Sequence, residues 1–234
     1  MNSTRPRSSS HNLSSGVRAS MGESRAESVR GQRLQEARLA HALREVPRGL
    51  FFTHEGPLSD DQPAPLGNGR TIPPVDVVAM MIRALELTGS ERVLDVGGGS
   101  GYQAALLGQL ALEVYSVEAD EELTQRASHM LAKLGHHNVH MIHADGSGGW
   151  PQGAPYQAIV VGAAAQHLPG ALIEQLDQGG RLVIALGDSE YQLVERMRKR
   201  IDGLDSETIG TCRLDMLTMR GPSSCFPWAN ASRS

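Results

Sequence analysis

The sequence predicts an α/β protein: a doubly wound, mostly parallel sheet with helices on both faces and an N-terminal helix-loop cap. Three observations lead there. From residue 89 onward, short apolar runs alternate with helical spacings, the rhythm of βαβ units. The run Leu94-Asp95-Val96 enters a glycine turn, Gly97-Gly98-Gly99-Ser100-Gly101, and leaves it as an apolar helix. The chain has 234 residues, 40% of them hydrophobic and 21% charged, which suits one domain of about 200 residues with tails.

Taken in order, residues 1–31 are rich in Ser, Arg, Asn and Gly with hardly an apolar side chain. They are expected to form a disordered basic arm, since burial there cannot offset the entropy of ordering. Residues 1–22 carry Arg5, Arg7 and Arg18 without an acid, a composition shared with organelle transit peptides; disorder is the preferred reading. One folded domain follows over 32–222, with a tail at 223–234. Its first part, 32–88, is the cap. Leu34, Ala37, Leu39, Ala42 and Leu43 fall at helical spacing up to Pro47. An irregular stretch from Gly49 to Pro74 carries seven Pro and Gly residues between 57 and 74. Loops of that length in compact domains are usually functional or disordered. A helix over 77–87 ends the cap, with Met80 and Met81 read as core.

The second part, 89–222, is the sheet. Strands are expected at 92–97, 113–118, 138–143, 157–162 and 180–186, with helices at 101–111, 121–134 and 168–177 between them. A helix near 189–201 and a strand pair near 207–219 complete it. The basic run Arg196, Arg198, Lys199 and Arg200 is then a solvated helix face. His136, His137, His140 and His143 crowd together, yet no carboxylate or cysteine completes a ligand set, so no metal is expected.

Charge is uneven. Residues 1–50 hold nine Arg against four Glu, which leaves the rest acidic within a total of −4. With aromatics at 4%, neither charge nor stacking surface favours a nucleic-acid partner. No apolar signal core follows Met1, and the run Ala158 to Ala165 is too short to span a membrane. A cytoplasmic monomer is expected, with Cys212 and Cys225 as free thiols.

The glycine turn carries the chemistry. Asp95, Gly97, Gly99 and Gly101 read D-x-G-x-G-x-G. A dinucleotide fingerprint would need its third glycine at position 102, where Tyr102 stands. An acid at the strand end, ahead of glycines that admit close backbone approach, suits a cationic amino-acid cofactor such as S-adenosyl-L-methionine better than a pyrophosphate. Glu118 closes the next strand and is placed to accept both hydroxyls of a ribose. Asp145-Gly146 follows the third strand; it is either a cofactor contact near an adenine or an ordinary turn.

Further segments extend the pattern: Val46-Pro47-Arg48, Gly67-Asn68-Gly69-Arg70-Thr71-Ile72, Val93 to Leu106, Asp145 to Pro151, Ala163-Ala164-Ala165 and Gly179 to Ile184. In these the chain resembles the protein-L-isoaspartate O-methyltransferase family, class I methyltransferases with a Rossmann-like sheet. The resemblance implies methyl transfer from S-adenosyl-L-methionine to the free carboxylate of L-isoaspartyl and D-aspartyl residues in damaged peptides. It implies cofactor contacts from Asp95, Gly97, Gly98, Gly99, Ser100, Gly101, Glu118, Asp145, Gly146 and Ala163. It also implies an acceptor loop over 67–73, with Gly69, Ile72 and Arg213 at the substrate. The loop departs from the family's G-x-G-Q-T-I-S: Arg70 replaces glutamine and Pro73 replaces serine. Proline offers neither hydroxyl nor N–H. Either Thr71 and Arg70 take over the acceptor carboxylate, or the chain has another peptide-carboxylate acceptor, or it binds the cofactor without catalysis. Cys212 to Leu217 likewise differs from the family's V-R-F-V-P-L-like segment.

Overall fold

A computed structural model describes residues 13–52, 58–67 and 69–217 and, within the first helix, side chains from Val29 onward. The chain opens with α1 (Leu13–Glu45) and a short 3-10 turn at Arg48–Phe51. A two-stranded antiparallel hairpin follows, β1 (Ala64–Gly67) and β2 (Arg70–Ile72), leading into α2 (Val75–Ala84). Then come β3 (Arg92–Val96), α3 (Tyr102–Leu110), β4 (Glu113–Glu118), α4 (Glu121–Lys133), β5 (Val139–His143), β6 (Tyr156–Ala165), α5 (Gly170–Gln175), β7 (Leu176–Gly187), β8 (Gln192–Arg200) and β9 (Gly203–Cys212).

Seven strands make one sheet in the order β5-β4-β3-β6-β7-β8-β9. The first five pair in parallel, and β8 and β9 run antiparallel at one edge. This is the expected doubly wound sheet. The chain leaves β3 toward β4 and β5, then returns to place β6 on the opposite side of β3. The order therefore reverses beside β3, and the crevice at the carboxyl ends of β3 and β6 is the switch point where such sheets bind ligands. Both faces of the central strands are covered. Val93 packs with α1, α2 and α3 through Ala42, Met81, Ile82, Leu106 and Leu107. Leu94 and Val96 face the opposite core with Val117, Ile159, Leu172 and Ile184. Alternating sides of one apolar strand thus feed two cores, as a parallel sheet requires.

Three features differ from the sequence reading. The arm expected to be disordered over 1–31 is helical from Leu13 onward, while residues 1–12 lie outside the described residues. Its Ala, Arg and Glu residues favour helix, and propagation from a packed segment is cheap once a helix is nucleated. That packed segment is the C-terminal half of α1, where Leu39 and Ala42 are buried, as is Val46 just beyond it. Arg38 donates to the carbonyls of Leu87 and Leu110, fixing α1 to the ends of two neighbouring elements. Second, the stretch 49–74 is not uniformly irregular, since it contains the 3-10 turn and the hairpin.

Third, the helix expected near 189–201 is strand β8, and the strand pair near 207–219 is a single strand, β9, followed by a bridge from Met216 to Ala164. The basic run does not form a solvated helix face. Gln192, Val194 and Met197 are buried along β8. Arg196 and Arg198 pair with Glu86, and Lys199 donates to the carbonyls of Ile173 and Leu176. Pairing with β7 on one side and β9 on the other, together with these long-range partners, overrides the helical preference of the run. Cys212 is a free, half-buried thiol; Cys225 and the tail from 218 lie outside the described residues.

Candidate cofactor and acceptor site

The site is assembled where β3 stops. Gly97 and Gly98 both donate N–H to the Val117 carbonyl, at 2.8 and 3.1 Å, bending the chain off the strand. Gly101 then opens α3 at a φ of 86°, against Ala127 of α4, a conformation that disfavours any side chain. At Gly98 a Cβ would stand 2.2 Å from the Ser116 hydroxyl oxygen. The turn is thus shaped by what lies behind it as much as by a ligand in front.

Asp95 is behind it. Its carboxylate is fully buried and accepts from Gln103 Nε2 and Ser116 Oγ, each at 2.7 Å. Burial pushes its pKa up to about 6, against the two hydrogen bonds that favour the charged form. Its partners here belong to the protein, behind the turn and away from the crevice. Asp95 ties β3 to β4 and α3 and so sets the shape of the turn.

Glu118, at the end of β4, is the carboxylate that faces the crevice. It is nearly buried. Oε2 accepts from the Gly99 N–H at 2.9 Å, and Oε1 accepts from the Asp120 N–H at 2.8 Å and from an Arg70 guanidinium nitrogen at 2.6 Å. A cavity of about 110 Å³ lies between this carboxylate and the hairpin, bordered by Gly97, Gly99, Gly146, Ala163, Thr71 and Asp215. Beside it Ser100, Ile72 and Pro73 line a smaller space of about 40 Å³. The structure therefore brings together most of the residues singled out from sequence.

Several of them take unexpected parts. Asp145 accepts from the Ser147 N–H and hydroxyl and caps the turn Gly146–Gly148. Gly146 is buried with no room for a Cβ beside Val96. Ile72 is buried in the core, and Gly69 shapes the hairpin at a φ of 73°. Arg213 is exposed and does not line the cavity. Its neighbour Asp215 does: the Thr71 N–H and hydroxyl both donate to Asp215 Oδ2, at 2.8 and 3.2 Å.

Asp215 and Arg48 are the residues that sequence reading missed. Asp215 reaches the site because Gln192 grips Leu214, accepting its N–H and donating to its carbonyl, and because the following residues pair with Ala164. Arg48 is buried, and its guanidinium donates to the carbonyls of Gln62, Ile72 and Pro73 at 2.7, 3.0 and 3.0 Å. It clamps the end of the acceptor hairpin, and its place in the quoted Val-Pro-Arg segment was the available signal.

The residues fit an adenosyl sulfonium cofactor. Backbone without side chains lines one wall at Gly97, Gly99, Gly146 and Gly162, and the nearly buried Glu118 carboxylate stands at the strand end. Comparison with known proteins agrees. The profile of the family described as protein-L-isoaspartate(D-aspartate) O-methyltransferase matches residues 24–214. The chain is 41% identical over 213 residues to protein-L-isoaspartate O-methyltransferase 1 of Rhodopseudomonas palustris, covering 89% of this chain and 87% of that one. It is 46% identical over 173 residues to protein-L-isoaspartate O-methyltransferase 2 of Shewanella sediminis, covering 72% and 71%. Among solved structures, a protein-L-isoaspartate O-methyltransferase superposes with a TM-score of 0.71 at 25% identity over 81% of this chain and 65% of the other. The chain therefore belongs to the protein-L-isoaspartate(D-aspartate) O-methyltransferase family and is a methyltransferase that uses S-adenosyl-L-methionine.

Proposed function

We propose that the acceptor is the free carboxylate of an L-isoaspartyl or D-aspartyl residue in a peptide or protein, methylated as the first step of repair. The observation that carries this reading is the hairpin, which sets the Arg70 guanidinium and the Thr71 donors on the rim of the cavity bounded by Glu118 and the glycine turn. S-adenosyl-L-methionine, when bound, supplies an electrophilic methyl group on a sulfonium. Glu118 and the Gly97–Gly99 turn would hold it, with Gly146 and Ala163 beside them.

No general base is required of the protein. A carboxylate with a reference pKa of about 4 is already ionised at neutral pH. The chain's task is to align an anion, to strip water from it and to exclude competing nucleophiles. Arg70 is the cation at the rim, and its fork suits a planar carboxylate. Arg48 acts at one remove, holding the carbonyls of Ile72 and Pro73 so that the hairpin keeps its place. Among the described residues no helix is long and apolar enough to cross a membrane; a cytoplasmic monomer acting on peptides belongs to this reading.

A second reading, a different peptide carboxylate as acceptor, is favoured by Pro73 and by the Asp215 carboxylate already seated on Thr71. Incubation with labelled donor and an isoaspartyl peptide beside its aspartyl twin tests both. Base-labile label on the isoaspartyl peptide alone is expected. Label on neither peptide, with donor binding intact, would remove the repair reading.

A further inference from the structure

Glu118 is asked to do two things at once. An ionised carboxylate offers about four lone-pair sites, and three donors already use them: the Gly99 N–H, the Asp120 N–H and Arg70. A ribose diol brings two further donors, so one site is lacking. The two backbone donors are fixed by the glycine turn and by the start of α4. Arg70 is the partner that can leave, because it sits on a short hairpin strand with its side chain 33% exposed. The cavity volume points the same way. At about 110 Å³, it falls below the roughly 300 Å³ at which small-molecule sites begin, and Arg70 reaches across it to Glu118.

Arg70 also has somewhere to go. At the acceptor side the Thr71 N–H and hydroxyl are taken by Asp215, and Pro73 has no donor to give. Arg70 is the cation on that rim able to form a charge-assisted fork with an acceptor carboxylate.

We propose that Arg70 exchanges partners during the reaction: donor hydroxyls displace it from Glu118, and the freed guanidinium then receives the acceptor carboxylate. Donor binding thereby prepares the acceptor site, and the two substrates bind in order, donor first. Glu118, nearly buried, trades one donor for two, and Arg70 trades an internal carboxylate for that of the substrate. This inference rests on the proposed use of Glu118 by the donor ribose and of a carboxylate as acceptor.

The test is calorimetric titration of the full chain with S-adenosyl-L-homocysteine, alongside steady-state kinetics with an isoaspartyl peptide. Arg70→Gln restores the glutamine of related loops. It is expected to bind the nucleoside about tenfold more tightly, because the competing ion pair is gone, while KM for the peptide rises by a similar factor. Arg70→Lys, which keeps charge but loses the fork, is expected to fall between wild type and Gln on both measures. In wild type, peptide binding should be detectable only with the nucleoside present. Weaker or unchanged nucleoside binding by Arg70→Gln overturns the exchange, and so does peptide binding to wild type without nucleoside. If wild type fails to bind the nucleoside, the site reading falls with it; if wild type binds and methylates while Arg70→Gln leaves nucleoside affinity unchanged, only the exchange falls.

Discussion

Replacing Asp95 by Asn should remove a specific pH dependence from the stability of this protein. Asp95 is fully buried under the glycine turn, and the two donors it accepts from, Gln103 and Ser116, are both uncharged. Burial raises its pKa from 3.8 to about 6 in the fold. The folded state therefore holds the proton more tightly than the unfolded chain. Between about pH 4 and 6 the native state binds more protons, so stability falls as pH rises through that window and levels off above it. The displacement corresponds to about 3 kcal/mol at neutral pH.

Asparagine is uncharged throughout, so the variant lacks this contribution. Urea denaturation of both proteins from pH 4.5 to 7.5 gives the difference directly. Other groups cancel in that difference, including His136, whose lowered pKa gives the opposite slope. The stability of wild type minus that of Asp95→Asn should decline by about 2 kcal/mol across this range, with most of the change complete near pH 6.5. A difference that stays flat, or that grows with pH, would refute the claim that Asp95 is a desolvated carboxylate.

Three further predictions concern the residues around it. Gly98→Ala would force the Ser116 hydroxyl away from Asp95 and should cost about 1–3 kcal/mol, the usual penalty for a buried group left short of a partner. Combined with Ser116→Ala it should add little to the single Ser116 change, and chemical denaturation of the four proteins checks the cycle. Arg48→Met leaves the carbonyls of Gln62, Ile72 and Pro73 without their guanidinium donor; acceptor KM should rise about tenfold while nucleoside affinity measured by calorimetry stays near wild type. Asp215→Ala releases the Thr71 donors and removes a negative charge from the acceptor rim. Peptide KM should fall several-fold, and the change should partly repair Arg70→Gln. A raised KM in steady-state assays would show that Asp215 serves the acceptor instead of competing with it.

Much of the sheet could be read in advance because its signals are local. Strand β4 and helix α4 fall where the apolar runs and spacings place them. The glycine turn is legible from five residues, since only a strand entering a helix through such a bend needs them. β8 was not legible. Its Arg-Met-Arg-Lys-Arg run carries no alternation that distinguishes strand from helix, and its conformation is imposed by β7, β9 and Glu86. Asp95 shows the same limit at one residue: its position at the head of the loop was clear, but whether it faced a ligand or the protein depended on Ser116 and Gln103.

By itself the sequence determined the glycine turn, the succession of strands and helices from β3 to β7, and the carboxylate at the end of β4, because each follows from neighbours a few residues apart. Tertiary structure alone decided which groups meet across that crevice. Arg70 lies 48 residues from Glu118, and Thr71 lies 144 residues from Asp215. No periodicity encodes such pairs; they arise when the hairpin folds over the switch point and when Gln192 brings the segment at 214–217 beneath it.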